Sequence, residues 1–413
     1  MRPSIPLSAL SRRHSPRSAH SHLSTQLRAM HAGLRSFPAW FVRGGTSNGL
    51  VIRAADLPPQ SAWPSILPPA MGSPDALHGR QLDGIGSGVS STSKLVVLSP
   101  AGTTTRDAHV EYTFVQVGIR DGVLDTAGNC GNMSSIVGPA AWDMGYVRDA
   151  DKPALVATAA DGTRWATLRI FNTNTSKVIE TTFRVAADEG SSAYYCPEGN
   201  YVMDGVSGAH SCITMSFLDP AGAKTGRALP TGRSVDTLHL PDGSAVSASL
   251  VDVGNPGVFV TGRSLGFSSA EALTPAAIEA DAALKTRLEQ LRRHGAALMG
   301  MDPDTESVPK IVLLFPSDAG SDVDIRCRAM SMGQAHKAVP LTLALCLGAA
   351  AKMEGTLAWE LMREAQRPED GEAVRIAHPS GLVDVGTTIE DGEIKAAKLL
   401  RTARVMMKGE VFY

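Results

Sequence analysis

Asp125-Thr-Ala-Gly-Asn-Cys-Gly-Asn-Met-Ser134, continued by Ser135-Ile-Val-Gly-Pro-Ala-Ala-Trp142, sets one cysteine between two Gly/Asn pairs and leads it into a run of small apolar residues. Glycine on both sides lets the backbone turn tightly and lets a ligand approach it closely. A helix that starts near Asn132 turns its free N–H groups and the positive end of its dipole toward Cys130. That position favours negative charge, as a thiolate or as a bound anion. A cysteine taken at random is more often a buried residue in a turn, but the paired Gly-Asn frame favours a thiol that gives or takes a proton. The helix itself has no polar stripe, and a helix that is apolar all round is buried.

The second half of the chain offers a counterpart. Ser331-Met-Gly-Gln-Ala-His-Lys337 leads into Ala338 to Lys352, again apolar throughout. Around both helices the pattern is β. Trp40 to Arg53 reads as strand, Gly-rich turn and strand, and Lys94 to Leu98 as a strand. His109 to Arg120 alternates apolar and polar residues up to the turn at Asp121-Gly122. Thr163 to Phe171 and Val178 to Val185 form a further pair. Tyr201 to Leu218, Leu238 to Val260, Lys310 to Phe315 and Ala397 to Tyr413 continue the pattern. One amphipathic helix is predicted from Ala276 through Gly295, with Thr274 as its cap and Pro275 in its first position. The expected class is α+β: two β-rich halves, each wrapped around its own buried helix, with the two helix N-termini at a shared cleft. Such a cleft attracts carboxylates.

Composition narrows the function. The 413 residues have 43% apolar content and a net charge of −2, which fits a large core and gives no electrostatic case for nucleic acid. The longest apolar run, Val339 to Ala351, is too short to span a membrane. Cys130, Cys196, Cys212, Cys327 and Cys346 are widely spaced and contain no CxxC pair, so neither a disulfide framework nor a zinc site is expected. The first 36 residues hold six arginines with Ser and His interleaved and no acid, the composition of a mitochondrial transit peptide; a start at Met30 would instead leave the chain cytoplasmic.

Asp83-Gly-Ile-Gly-Ser-Gly-Val-Ser-Ser-Thr-Ser-Lys94 lacks the spacing of a phosphate loop and is followed by a strand instead of a helix. Lys94 at the mouth of that strand is either a solvated lysine or a group that pairs with a substrate carboxylate or acts as a base. His336 and Lys337 are either exposed first-turn residues or part of the site. Asn172, Asn174 and Asn255 sit at strand ends and reach the cleft or only cap turns. No GxSxG elbow supports a serine hydrolase. Cys327 and Cys346 lack a glycine frame, so a two-thiol racemase has no second thiol.

In chain order, Arg43-Gly-Gly-Thr-Ser-Asn-Gly49, Gln81-Leu-Asp-Gly84, Thr92-Ser-Lys94, Gly128-Asn-Cys-Gly-Asn132, Arg169-Ile-Phe-Asn-Thr-Asn-Thr175, Leu229-Pro-Thr-Gly232, Ser331-Met-Gly333 and His378-Pro-Ser-Gly381 resemble the PrpF family from about Phe37 onward. The resemblance implies the diaminopimelate-epimerase-like fold, two similar domains that are each a β-barrel-like sheet around a central helix. The expected boundaries are 37–195 and 196–413, with the last strands returning to the first domain. It also implies cofactor-free proton transfer on an unsaturated di- or tricarboxylate of the aconitate kind, with no metal. Cys130 and Lys94 would be the acid/base pair. Ser47, Ser93, Gly128, Asn129, Gly131, Asn132, Asn255, Ser331, Met332, Gly333 and Lys337 would surround the substrate. A homodimer is left open. Many family members carry Lys where this chain has Asn48, which implies a less cationic site and a different carboxylate pattern. The rival readings are an amino-acid epimerase on the same fold and a non-catalytic carboxylate-binding relative.

Overall fold

Strands whose residues are apolar without a break lie between two cores, and such strands stand at equivalent places in the two halves of this chain. The computed structural model describes residues 35–102, 107–187, 192–318, 320–366, 373–390 and 393–413, so all but the last two residues of the expected leader lie outside it. The first half contains β1 (Ser36–Gly44), β2 (Ser47–Arg53), helix α1 (Leu67–Met71), β3 (Lys94–Pro100), β4 (Val110–Val117), β5 (Leu124–Asp125), helix α2 (Gly131–Asp143), β6 (Val156–Thr158), β7 (Arg164–Asn172) and β8 (Lys177–Ala186). Four short strands follow, β9 (Tyr194–Tyr195), β10 (Tyr201–Val202), β11 (Ala209–His210) and β12 (Ile213–Leu218). The second half contains β13 (Asp236–His239), β14 (Ala245–Val253), β15 (Asn255–Thr261), α3 (Pro275–Ala280), α4 (Ala282–Leu298), β16 (Lys310–Pro316), β17 (Ile325–Ser331), β18 (Gln334–Ala335), α5 (Leu341–Ala350) and α6 (Leu357–Glu364). It ends with β19 (Ala373–His378), β20 (Gly381–Glu390), β21 (Glu393–Arg401) and β22 (Ala403–Phe412).

The pairing repeats. β1–β2 is antiparallel, β2–β3 parallel, β3–β4 antiparallel, β4–β7 parallel and β7–β8 antiparallel. β14–β15, β15–β16, β16–β17, β17–β19 and β19–β20 follow the same sequence of directions. In each run the fourth strand forms a short antiparallel pair, β4 with β5 and β17 with β18, just before the buried helix. β12 and β21 join β8 to β20 in one mixed sheet, and β22 pairs with β1. The result is a sheet-rich α+β fold.

Each run packs on its own helix, and α2 and α5 also touch each other. Val96 and Leu98 of β3 join the central core with Ile136 and Trp142, whereas Leu95 and Val97 join an outer cluster with Trp63, Leu67 and Met71. β16 alternates likewise: Val312 and Leu314 face the central core, and Ile311, Leu313 and Phe315 face Leu284, Leu288 and Leu291 of α4. Successive side chains of a strand point to opposite faces, so a strand covered on both faces must be apolar at every position. Both helices also carry a glycine seven residues after their first residue. A Cβ on Gly138 would meet Thr181 Cγ2 of β8 at 2.4 Å, and one on Gly348 would meet Val385 Cγ1 of β20 at 2.6 Å. The helices thus seat against equivalent strands at a distance only glycine allows.

Two helix expectations need correction. The predicted helix over 276–295 is two helices, α3 and α4, because Asp281 leaves helical geometry (φ −99°, ψ 89°) and accepts a hydrogen bond from the Leu284 N–H to cap the second one. The second apolar helix starts at Leu341 after Pro340, later than Ala338, because Met332 and Gly333 (φ 53° and 67°) turn the chain back into β18.

Candidate active site

Cys130 is the N-cap of α2. Its backbone is extended (φ −111°, ψ 99°) and its side chain makes no cap hydrogen bond, so the thiol is not used to close the helix. The residues before and after it are fixed by other groups. Asn129 Oδ1 accepts from Tyr112 Oη (3.3 Å) and Ser134 Oγ (3.1 Å), and Ser134 Oγ and Tyr112 Oη are 2.7 Å apart. Asn132 Nδ2 donates to Thr46 Oγ1 (3.1 Å), and its Oδ1 accepts from Arg401 Nε (3.3 Å). The Gly44-Gly45 turn is needed for this closeness: a Cβ on Gly44 would lie 2.4 Å from the Asn132 carbonyl oxygen, and one on Gly45 2.2 Å from Asn132 Oδ1.

Lys94 is the first residue of β3 and is 7% exposed. Its Nζ donates to Gln116 Oε1 and lies 5.5 Å from the Phe114 ring centroid. Gln116 Nε2 is anchored on the Ser93 and Ser90 carbonyls at 2.9 and 3.3 Å, so the amide has one orientation available for the lysine. Desolvation pulls the Lys94 ammonium below its ordinary range, and the nearby Cys130 opposes this in part. A buried lysine that loses its proton easily can serve as a base.

Lys94 and Cys130 line one cavity of about 40 Å³ at the N-termini of α2 and α5. Ser47, Gly128, Asn129, Gly131, Asn132, Ser331 and Met332 line it as well. It adjoins a wider cleft of about 480 Å³ through the shared walls Ser90, Gln116 and Met332.

Four expected positions fall elsewhere. Ser93 is fully buried behind β3, where its Oγ accepts from Gln81 Nε2 (2.7 Å) and donates to the Val117 carbonyl (3.1 Å). Asn255 is 0% exposed and abuts Gly128 from behind, with no hydrogen bond to its amide oxygen or nitrogen. Gly333 and Lys337 are exposed; Gly333 borders the outer cleft, and Lys337 borders a groove of about 290 Å³ that adjoins the cavity through Ser90, Ser331 and His336. Ser331 and Gly333 lie in a strand-to-strand turn and do not open a helix, which corrects the expected helix start there. Asn48 is not a wall residue. It pairs with Arg43 of β1, one position out of phase with Ser47.

The walls also include Gln116, Ser307, Lys310 and Thr342, which the sequence reading did not place there, and His336, which it left open between an exposed first turn and the site. His336 Nδ1 accepts from the Ala338 N–H (3.1 Å). Desolvation and then the Lys94 charge push it down to about 4, so it is neutral near pH 7. Lys310 opens β16 as Lys94 opens β3, and both strings, Lys94-Leu-Val-Val-Leu and Lys310-Ile-Val-Leu-Leu, are a lysine followed by an apolar run. That repeat was the signal available. The other thiols do not supply a partner for Cys130. Cys327 lies inside β17, where burial pushes it up to about 12, and Cys346 lies mid-helix, raised by burial and bonded to the Val251 carbonyl. Among the described residues, no group of three or more His, Cys, Asp or Glu is placed to hold a metal ion, and no helix is long and apolar enough to cross a membrane.

Comparison with known proteins shows the family. The chain is 34% identical over 394 residues to a 3-methylitaconate isomerase of Eubacterium barkeri, covering 91% of this chain and 96% of that one. It is 34% identical over 409 residues to a 2-methyl-aconitate isomerase of Cupriavidus necator, covering 92% and 98%. The crystal structure of a methylitaconate-delta-isomerase superposes with a TM-score of 0.68 at 33% identity, covering 92% of this chain and 96% of the other. The sequence model described as PrpF protein matches residues 35–413, and the chain belongs to the PrpF family.

Proposed function

We propose that this protein is a cofactor-independent isomerase that moves a proton, and with it a C=C bond, within an unsaturated di- or tricarboxylate. The relatives named for isomerisation of methylitaconate and methylaconitate support the class, and Cys130 and Lys94 on the walls of one cavity support the mechanism. One of the two removes a proton from a carbon next to the C=C bond. The C–H pair of electrons becomes the new double bond, the old double bond supplies electrons for a new C–H bond at its far carbon, and the other residue delivers that proton. Hydrogen count and oxidation state are unchanged. The negative charge that builds between the two events spreads into the attached carboxylate. Fixed N–H groups at the start of α2 and the cationic wall are placed to stabilise it. Burial lowers the Lys94 pKa, which eases loss of its proton and fits the role of base.

The observation that carries this reading is a cavity with two lysines, one thiol and a neutral histidine, in which neither lysine forms an ion pair with a carboxylate of the described residues. Such a site is built for an anion. An epimerase working with two thiols is disfavoured, because the residue at the N-cap of α5, equivalent to Cys130, is Pro340. We read the two strand runs as two barrel-like domains, 37–195 and 196–413, with β22 returned to the first. We read residues 1–36 as a mitochondrial leader, on composition alone.

The test is a substrate panel: itaconate, 2-methylitaconate, cis- and trans-aconitate and 2-methylaconitate, followed by proton NMR. Conversion of at least one of them, absent in Cys130→Ala, is the expected result. A wild-type enzyme that converts none and binds none would overturn the reading.

A further inference from the structure

Lys310 is the second cation of the cavity, and the repeat of the fold explains why it stands there. In the first run Gly49 of β2 pairs with Lys94 of β3; in the second, Gly257 of β15 pairs with Lys310 of β16, in the same parallel register. The two lysines therefore hold equivalent places at the mouths of equivalent strands. Their surroundings differ. Lys94 donates to a side-chain amide and has the thiol Cys130 near it. Lys310 donates to the backbone carbonyl of Ser307, and the helix cap on its side of the molecule is Pro340, which can neither give nor take a proton. The second half of the cavity has the lysine but no thiol at its helix cap.

A further group there has no partner. Ser307 is 6% exposed, lines the cavity, and its Oγ makes no hydrogen bond. A buried hydroxyl without a partner is costly and calls for an explanation such as a ligand. The first-turn N–H groups of α5 at Leu341 and Thr342, which a helix leaves unpaired, border the same space. The charged and titratable groups felt by Lys310 are Lys94, Asp125, Cys130 and Arg292, and none of the acids among them is in ion-pair contact with it. Arg292 is itself committed to Glu289 and to the Thr305 and Pro303 carbonyls.

We propose that Lys310 and Ser307 Oγ, with the first turn of α5, form a carboxylate subsite that holds the substrate by the carboxylate farther from the reacting carbons. This rests on the reading of Cys130 and Lys94 as the acid/base pair. It adds that the second half of the cavity binds and does not exchange protons. The subsite makes the enzyme selective for substrates with two carboxylates. A monocarboxylate occupies the Lys94 and Cys130 half and leaves Lys310 unpaired.

The experiment compares binding of fumarate and crotonate, a dicarboxylate and a monocarboxylate of the same chain length, to the full-length protein by calorimetry. Lys310→Met should weaken fumarate by about tenfold or more and leave crotonate within about threefold of the wild type, with Lys310→Arg retaining most of the fumarate affinity. Ser307→Ala should weaken fumarate selectively and by less, and it decides the matter if Lys310→Met does not fold. Fumarate binding unchanged in these variants, or fumarate and crotonate weakened equally, would overturn the proposal. Cys130→Ala should lose turnover and keep the preference for fumarate. If it keeps turnover instead, the acid/base reading fails while the Lys310 comparison still stands on its own binding data.

Discussion

Burial of Lys94 against Phe114 and Gln116 strips water from an ammonium that has no carboxylate to replace it. That arrangement was half visible in the sequence. A lysine at the mouth of an apolar strand could be marked as a candidate, but not the amide that holds it, because Gln116 is remote in the chain and reaches it only through the β3–β4 ladder. Cys130 was the most legible residue, because its glycine frame is local. Since its thiol makes no cap bond, Cys130→Ala should cost turnover about 10²-fold or more while the thermal midpoint stays close to the wild type. Parallel turnover and melting measurements check this, and a large drop in melting with intact turnover would contradict it.

Lys310 also makes a prediction about pH and stability. Desolvation, then the charge of Lys94, push it down to about 8 in the folded protein, against an ordinary value of 10.5. Between those values the unfolded chain holds more protons than the folded one, so this residue's contribution to stability rises with pH across that window. Below pH 8 its buried charge is a standing cost. Lys310→Met should therefore raise the thermal midpoint more at pH 7 than at pH 10 in the absence of ligand. An equal shift at both pH values would show that the lysine is well solvated.

At the scale of elements, the two buried helices were readable because neither has a polar face, although the second spans only the ten residues Leu341–Ala350 where Ala338 to Lys352 was expected. Their starts were not equally readable. α2 begins where a glycine-framed cysteine says it should, whereas the start of α5 depends on a two-residue turn at Met332-Gly333 and on Pro340, and the polar run before it resembles a first helical turn. The break at Asp281 was hidden in the same way, since an aspartate in a helix-rich stretch caps a new helix only if its backbone departs from helical geometry. The glycines inside the helices lend themselves to a direct test. A valine at Gly348 would force its side chain into Val385 of β20, where even a Cβ comes within 2.6 Å, and should destabilise the fold by about 1–3 kcal/mol. Denaturant unfolding of Gly348→Val measures this; a midpoint equal to that of the wild type would mean that the helix and strand can part at no cost.

For the whole molecule, the duplicated order of strands around two helices is what creates one cavity with two lysines and one thiol. The halves were recognisable from their repeated apolar helices. The parallel pairings β2–β3 and β15–β16, which place the lysines, were not, because parallel partners are far apart in sequence and leave no turn signature. The walls of the site are drawn from both halves, so activity should depend on residues of each, and separate halves should have none. Chelator treatment should leave turnover unchanged, as no group of metal-ligand side chains stands among the described residues. Activity lost to EDTA and restored by a divalent ion would contradict this.

The central claim is proton transfer by Cys130 and Lys94, and the most direct measurement is isomerisation in D₂O followed by NMR, using whichever acid of the substrate panel is converted. Wild-type enzyme should place deuterium at the carbon that gains the proton, and Cys130→Ala and Lys94→Ala should each lower that incorporation to below about a tenth of the wild-type rate with the fold intact. Incorporation at the wild-type rate in either variant would contradict the assignment of that residue to the reaction.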